Sequence, residues 1–472
     1  MKKRQLLALT GFAMMVPLSG TFTKSAARDF VKQKPSAAFT ETYRPQLQQT
    51  SPQDAFANES TRWLDQQGVP NENARTLLLY LQNSSSHGLN PQDYKTDAVT
   101  ACMLKDSIPL AERAQFNKLL TQSLVDYAQD MSGPRISPSV IGSRAEYWRK
   151  PLTKDEVPGK YAAAGNMDKM LKDLEPKDPV YGALRTELQS LMQQPSTPAA
   201  KEQIIQAIAN LERLRWDKER PTRYIEVNIA DQTLNAVDSG EVVHHIDMIV
   251  GKPTRQTAEF TTPITGVRFN PTWHVPVDLM MRDKVPVLRK NPYAFEKNQI
   301  YVYYDGKRVD PGTIKWNSMS NQQIRQHITM KQMPGEKNAL GHLVALMVDP
   351  YIQYLHYTNQ PELFKKEPRY FSSGCMRMSE PDSIAGFILA TGMEQIEAYK
   401  KGPSDSNIKS DQPLTFFSVY RSITLGPDGA LQYHKDVYGR DKKIFDALKQ
   451  KGALPPGALQ KPAANTKAPG PK

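Results

Sequence analysis

Cysteine is scarce in this sequence of 472 residues, which contains only Cys102 and Cys375. Neither stands near residue 20, which excludes a lipid-modified cysteine close to the N-terminus. No basic run interleaved with aromatic residues is present, so nucleic acid is a poor candidate for a partner. After the apolar run from Leu6 to Leu18, no stretch is long and apolar enough to span a bilayer. These absences favour a soluble chain.

The N-terminal residues have the layout of a secretory signal peptide. A positively charged segment at residues 1–5 precedes the short apolar run, and Ser25-Ala26-Ala27 supplies small residues for cleavage before Arg28. We expect residues 1–27 to direct export, with an uncleaved membrane anchor as the alternative. Residues 28–55 are polar and predict a flexible segment. The net charge of +12 suits a polyanionic partner such as anionic lipid or an acidic cell-wall polymer.

Two kinds of periodicity divide the rest of the chain. Apolar residues recur at helical spacing up to Trp216, for example at Leu77, Leu78 and Leu81 after a candidate N-cap at Asn71. From Arg223 onward, apolar residues alternate by two, with Gly and Pro at the turns. The patterns predict an α+β protein, with a mainly helical domain at 56–222 and a mixed β-sandwich or barrel-like domain at 223–445. Residues 446–472 are predicted to be a disordered tail.

One stretch carries the chemistry. His356 lies in a strand pattern from Ile352, which should share a face with Tyr354 and His356, and Cys375 follows nineteen positions later in Ser372-Ser373-Gly374-Cys375. A thiol needs a base to become a nucleophile near neutral pH, and imidazole is the usual partner. Gly374 allows the sharp turn that would present Cys375. The pair predicts Cys/His acyl-transfer catalysis, although a free cysteine is often only a buried apolar residue.

The spacing from His356 to this turn resembles the signature of the YkuD-type L,D-transpeptidase domain. Fifteen residues, 357–371, separate His356 from Ser372. Ser373 stands where the signature has a second His, a change typical of the long YcbB-type members of Gram-negative envelopes. The loop at 251–257 and the strand at 267–276 also match, so the chain from about Leu77 to Asp441 is similar to a YcbB-type L,D-transpeptidase.

The resemblance implies an enzyme of peptidoglycan biosynthesis that forms 3→3 cross-links in the periplasm and is a target of carbapenems. In the implied site, Cys375 is the nucleophile, His356 moves protons, and the Tyr357 carbonyl orients the imidazole. The N–H groups of Gly374 and Cys375 are the candidate oxyanion donors. The remaining implied substrate-binding residues are Arg377, Tyr354, Ser373 and Trp273.

Several alternatives stay open. Arg377 either binds a stem carboxylate or pairs with a nearby acidic residue, and Trp273 either lines the groove or fills a core. Residues 277–338 interrupt the strands, and the resemblance implies a lid over the site there. Only about twenty residues, 185–203, are available for the peptidoglycan-binding module of many family members, so we infer that it is missing or reduced beyond recognition. No metal or cofactor is implied, and the expected partners of this monomer are stem peptides and wall-synthesis proteins.

The acyl acceptor is not readable from the residues. Transfer to water would make the protein an L,D-carboxypeptidase or a hydrolase that releases a wall lipoprotein, and a non-catalytic wall-binding scaffold is the third possibility. A disulfide between Cys102 and Cys375 would consume the nucleophile. We therefore expect Cys102 to pack as a small apolar residue in the stretch 98–104.

Overall fold

A computed structural model describes residues 62–194, 197–348 and 351–458. The expected signal peptide at 1–27 and the segment at 28–55 lie outside these residues. Within them, the N-terminal part is helical and the following part is rich in strands, which confirms the α+β class. No helix in the three described ranges is both long enough and apolar enough to cross a membrane.

The helical part packs around one apolar core. The side chain of Asn71 accepts a hydrogen bond from the Ala74 N–H at 3.2 Å, so Asn71 is the N-cap that the sequence predicts. Leu77, Leu78 and Leu81 follow on the buried face of that helix. The α-helices of this part are α1 (Glu72–Gln82), α2 (Thr96–Met103), α3 (Arg113–Ser132), α4 (Val157–Ala164), α5 (Met167–Leu174), α6 (Pro179–Gln193) and α7 (Pro198–Trp216).

The strand-rich part contains one large sheet, a smaller sheet of four strands and a hairpin. The strands are β1 (Arg223–Asn228), β2 (Thr233–Asp238), β3 (Glu241–Gly251), β4 (Phe260–Phe269), β5 (Trp273–His274), β6 (Ile300–Tyr304), β7 (Lys307–Arg308), β8 (Ile328–Gln332), β9 (Leu343–Met347), β10 (Leu355–His356), β11 (Tyr370–Ser372), β12 (Met376–Met378), β13 (Ser406–Val419), β14 (Ile423–Leu425) and β15 (Leu431–Tyr433). The helices of this part are α8 (Val277–Leu279), α9 (Val285–Leu288), α10 (Asn321–His327), α11 (Pro381–Leu389), α12 (Met393–Lys400) and α13 (Arg440–Gln450).

The large sheet closes on itself. Its order is β11-β3-β12-β10-β9-β4-β13-β1-β2, and the additional pairing of β2 with β3 closes the strands from β3 to β2 into a barrel-like ring, with β11 paired to β3. Closure leaves few unpaired edges, and the alternate residues of each strand point into one apolar core. Ile225, Phe260 and Phe416 are among the fully buried residues of that core.

The insertion between β4 and β9 has a core of its own. Strands β5, β8, β6 and β7 form an antiparallel sheet, and α8, α9 and α10 pack beside it around Met280, Trp316 and Met330. Residues 277–338 therefore fold as a small unit that leaves the barrel after β4 and returns to it at β9. Whether this unit acts as a lid remains a prediction.

The C-terminal residues contradict the predicted tail. Helix α13 extends to Gln450, and Ile444, Phe445 and Leu448 belong to the apolar core of the helical part. Ala453 and Leu454 pack into the same core. The boundary predicted at residue 445 is wrong because apolar residues spaced three and four apart form a helix face that α7 covers. The remainder of the predicted tail, from residue 459, lies outside the described residues.

Candidate active site

The two residues proposed for catalysis lie on neighbouring strands of the barrel. Strands β10 and β12 run parallel, with His356 opposite Arg377. The Met376 N–H donates to the Tyr354 carbonyl at 2.8 Å, so the pairing extends back to the residue before β10. Cys375 immediately precedes β12. The register therefore brings Cys375 to the same part of the barrel as the imidazole of His356.

Two buried hydroxyl groups hold the turn that presents Cys375. The Ser372 hydroxyl donates to the Cys375 carbonyl at 2.6 Å and accepts from the Gly374 N–H at 3.1 Å. The Thr257 hydroxyl donates to the Gly374 carbonyl at 2.8 Å and accepts from the Gly251 N–H at 2.9 Å. Both polar groups of Gly374 are thus bonded to side chains, which fixes the backbone beside the nucleophile.

Gly374 shapes the turn through its backbone conformation. Its φ of +112° is unfavourable for other residues, and a Cβ at this position would lie 2.7 Å from Nε2 of Gln353. In this conformation the Gly374 N–H donates to Ser372, and its role as an oxyanion donor stays a prediction. The N–H of Cys375 remains a candidate donor.

His356 is 3 % exposed, and its surroundings keep the imidazole neutral. Burial, reinforced by the positive charge of Arg377, lowers the pKa of His356 to about 3. The carbonyl groups of Tyr357 and Leu340 oppose this shift. Neither is in hydrogen-bond geometry with Nδ1, which has no partner in the described part of the chain. A neutral imidazole is the form that accepts a proton from a thiol.

The bulky side chain of Tyr357 is accommodated beside the base. Its ring packs against His342 with 4.9 Å between centroids. Gly341 leaves the necessary room, since a Cβ there would lie 2.6 Å from the Tyr357 ring. His342 is itself held by Asp382, with 2.5 Å between Nε2 and Oδ1. This packing orients the segment that follows His356.

Arg377 is nearly buried and weakly bonded. Its Nη1 donates to the Thr358 hydroxyl at 3.4 Å and to Oε1 of Gln360 at 3.3 Å. Its Nε is buried without a partner, and no carboxylate of the described residues forms an ion pair with it. Burial lowers the pKa of Arg377, and the charge of Cys375 acts in the opposite direction. Of the two readings left open for Arg377, the structure does not support pairing with a nearby acidic residue.

Of the other predicted site residues, Ser373 and Tyr354 lie beside Cys375, and Trp273 lies in the sheet of the insertion. Ser373 accepts a hydrogen bond from Nη1 of Arg255 at 2.9 Å. Trp273 lies in β5, where it pairs with Gln332 and packs on the core of the insertion, which favours the packing alternative. Tyr354 is half-buried, and its carbonyl is bonded within the strand pair.

The strand expected from Ile352 to His356 is shorter than the alternation predicts. β10 begins at Leu355. Ile352 is exposed and has a φ of +56°, a conformation that β-branched residues rarely adopt. Ile352 therefore does not share a strand face with His356. The turn lets the Gln353 side chain accept from the Ala258 N–H at 2.8 Å.

Thr257 and Arg255 contact the nucleophile turn, yet no role was predicted for either of them from the sequence. Both lie in the loop at 251–257, whose match to the family was the available signal. The loop reaches Cys375 because β3 pairs in parallel with β11, a contact between residues more than one hundred positions apart. No local pattern could reveal that pairing.

Two family models match this chain. Residues 55–188 match a scaffold domain, and residues 222–393 match YkuD, the L,D-transpeptidase catalytic domain. A protein of Haemophilus influenzae named "Putative L,D-transpeptidase" is 29 % identical over 341 residues, which cover 70 % of this chain and 67 % of that protein. His356, Cys375 and the whole insertion lie within the second matched segment.

Proposed function

We propose that this chain, which carries a scaffold domain followed by a YkuD L,D-transpeptidase catalytic domain, forms 3→3 cross-links between peptidoglycan stem peptides. One observation carries the proposal. Buried His356, whose pKa is lowered, lies on β10, and the Cys375 turn leads directly into β12, the parallel neighbour of β10 inside the matched catalytic domain. This arrangement supplies a base and a nucleophile for acyl transfer.

The first half-reaction forms a thioester. Sγ of Cys375 attacks the carbonyl carbon that joins meso-diaminopimelate, or a similar residue, to the terminal D-alanine of a stem tetrapeptide. His356 accepts the thiol proton and delivers it to the amine of D-alanine as the carbon–nitrogen bond breaks. D-alanine departs, and the stem tripeptide remains bound to Cys375 as an acyl group.

The second half-reaction transfers that acyl group. The side-chain amine of a second stem attacks the thioester carbonyl, and His356 accepts a proton from this amine. The carbon–sulfur bond then breaks, and the proton returns to the departing thiolate of Cys375. Each proton that His356 accepts is thus returned within the cycle, and the site is ready for another donor.

Purified muropeptides provide the decisive experiment. Incubation with disaccharide tetrapeptides should give cross-linked dimers and free D-alanine, both measured by mass spectrometry. Tripeptides without dimers would instead identify water as the acceptor and make the protein an L,D-carboxypeptidase. Cys375→Ala should abolish both products.

Carbapenem acylation tests the nucleophile separately from the acceptor. The intact mass of the protein should increase by one carbapenem, and Cys375→Ala should remove the increase. The other cysteine offers a matched control, since Cys102 lies in α2 of the helical part and Cys102→Ala should retain the adduct. An adduct that persists in Cys375→Ala would refute the proposed nucleophile.

We propose further that the protein is exported and acts as a monomer on the wall in the periplasm. The composition of residues 1–27 and the net charge of +12 support this proposal. Cell fractionation combined with the intact mass should find a periplasmic protein that lacks these residues. A full-length protein in the inner membrane would indicate an anchor instead.

A further inference from the structure

One arginine joins the insertion to the turn that precedes Cys375. The Arg255 guanidinium makes a two-point ion pair with Asp283, with 2.6 Å from Nη1 to Oδ2 and 2.5 Å from Nη2 to Oδ1. The same Nη1 donates to the Ser373 hydroxyl at 2.9 Å. Since Ser373 stands two residues before Cys375, a single side chain links the insertion to the nucleophile turn.

Asp283 lies in an unusual helical turn. Residues Met280–Lys284 form a π-helical turn, closed by the Val285 N–H donating to the Met280 carbonyl. Pro286 follows, and because proline has no N–H and its ring excludes the carbonyl four residues earlier, regular α-helical bonding is interrupted at this point. The π turn widens the helix by one residue and changes the direction of its side chains. Such turns are rare in proteins, and those that occur are often found at functional sites.

The insertion is fixed independently at its base. The buried side chain of Asn338 donates to the carbonyls of Pro271 and Met333, both at 2.9 Å. Pro271 lies where the chain enters the insertion, and Asn338 lies where the chain leaves it. The Asn338 amide therefore holds the entering and leaving segments together. The Arg255–Asp283 pair is therefore a second attachment, on a different segment of the insertion.

The two attachments differ in strength. Asn338 is fully buried, whereas the side chains of Arg255 and Asp283 are 19 % and 28 % exposed. Solvent and salt weaken a partly exposed ion pair, which contributes little to stability and can separate at low cost. The attachment through Asn338 is thus suited to be permanent, and the Arg255–Asp283 ion pair is suited to open and close.

We propose that Arg255 is a positioning residue that latches the insertion, through Asp283, to the turn of Cys375. With the latch closed, the Ser373 hydroxyl is held and the helix containing Asp283 is kept beside the nucleophile. Opening the latch releases both together. The effect on catalysis rests on the proposed function, whereas the mechanical link between the two segments does not.

The rate of carbapenem acylation, followed by intact mass, tests the catalytic part. Arg255→Ala and Asp283→Ala should each slow acylation roughly tenfold or more, since small displacements of a reacting group are costly. The double variant should be no slower than the slower single variant, because Asp283→Ala removes an ion pair that Arg255→Ala already removes. Arg282→Ala is the matched control. Nε of Arg282 also lies 3.5 Å from Oδ1 of Asp283, but Arg282 makes no hydrogen bond to Ser373 in the described residues. The Arg282→Ala variant should be acylated at the wild-type rate. Additive effects of the two alanine changes, or equal slowing in the control, would overturn the proposal.

Hydrogen–deuterium exchange tests the mechanical part without any activity. Asp283→Ala should accelerate exchange both in residues 280–288 and in residues 372–376, and high salt should do the same in the wild type but not in the variant. Faster exchange confined to residues 280–288 would refute the link. If the wild type does not react with carbapenem, the proposed function fails, and the exchange result still decides whether the latch exists.

Discussion

His356 and Arg377 are register partners in the parallel pair of β10 and β12. Burial, and then the positive charge of Arg377, lower the pKa of His356; burial also lowers the pKa of Arg377, and the charge of Cys375 opposes that shift. One partly exposed guanidinium therefore acts on both members of the proposed pair, since it adds to the effect of burial on the base and attracts the thiolate. This arrangement gives Arg377 a role in ionisation that needs no contact with a stem carboxylate.

Replacing Arg377 should shift the pH dependence of acylation. In Arg377→Gln the charge that attracts the thiolate is lost, so the half-maximal rate of carbapenem acylation should move to higher pH by on the order of one unit. The pH–rate profile measures this shift. Arg377→Lys keeps the charge and is the control, and its profile should stay closer to that of the wild type. Identical profiles for the Gln variant and the wild type would show that the guanidinium does not act on the thiolate.

The buried imidazole should make folding sensitive to acid. His356 has a pKa of about 3 in the folded protein against 6.5 when unperturbed, so only the unfolded chain binds a proton between these values. The contribution of His356 to stability is therefore complete above pH 6.5 and decreases as the pH falls towards 3. At pH 5 the loss amounts to about 2 kcal/mol.

A comparison with His356→Gln isolates this contribution. The free energy of unfolding in urea should fall less between pH 7 and pH 5 in the variant than in the wild type. The buried His87, whose pKa is also lowered by burial, is present in both proteins and cancels in the comparison. Equal decreases in the two proteins would mean that His356 is accessible to protons in the folded state.

The backbone conformation at Gly374 should be essential for acylation. In Gly374→Ala the new methyl group meets Gln353 in a φ region that alanine adopts only with strain, so the turn must move and the acylation rate should fall at least roughly tenfold. Gly429→Ala is the matched control, because Gly429 also has a positive φ of +77° but nothing lies within 4 Å of the added Cβ. A wild-type rate in Gly374→Ala would show that the turn is not rigid.

Local patterns in the sequence predicted the features that local interactions determine. The N-cap at Asn71 and the helical spacing of Leu77, Leu78 and Leu81 depend on neighbouring residues, and both appear where the patterns place them. The pairing of β10 with β12 was implied only indirectly, by the spacing between His356 and Cys375. That spacing matched a known family. Neither His356 nor Cys375, taken alone, would have predicted that β10 pairs with β12.

Long-range contacts account for what the sequence did not predict. Thr257 and Gly374 are bonded although 117 positions separate them. The hydrogen bond from the Gly374 N–H to the Ser372 hydroxyl spans only two residues, but it was not predicted because it depends on side-chain geometry that composition does not encode. The C-terminal boundary depended on a long-range contact as well, since Ile444, Phe445 and Leu448 of α13 join the apolar core to which α7 contributes.

Because α13 packs against the helical part, we expect the replacement of Leu448 to lower the free energy of unfolding strongly, although Leu448 lies in the segment predicted to be a disordered tail. Leu448 is fully buried in the core that α7 contributes to, so Leu448→Ala should lower the free energy of unfolding of the helical part by roughly 2–5 kcal/mol through lost contacts and a cavity. Lys449→Ala, on the exposed face of the same helix, should change it by less than about 0.5 kcal/mol. Urea denaturation followed by the fluorescence of the buried Trp63 and Trp216 measures both effects. If the two variants unfold at the same urea concentration, α13 does not pack on the helical part in solution, and the chain after residue 445 is the tail that its composition suggested.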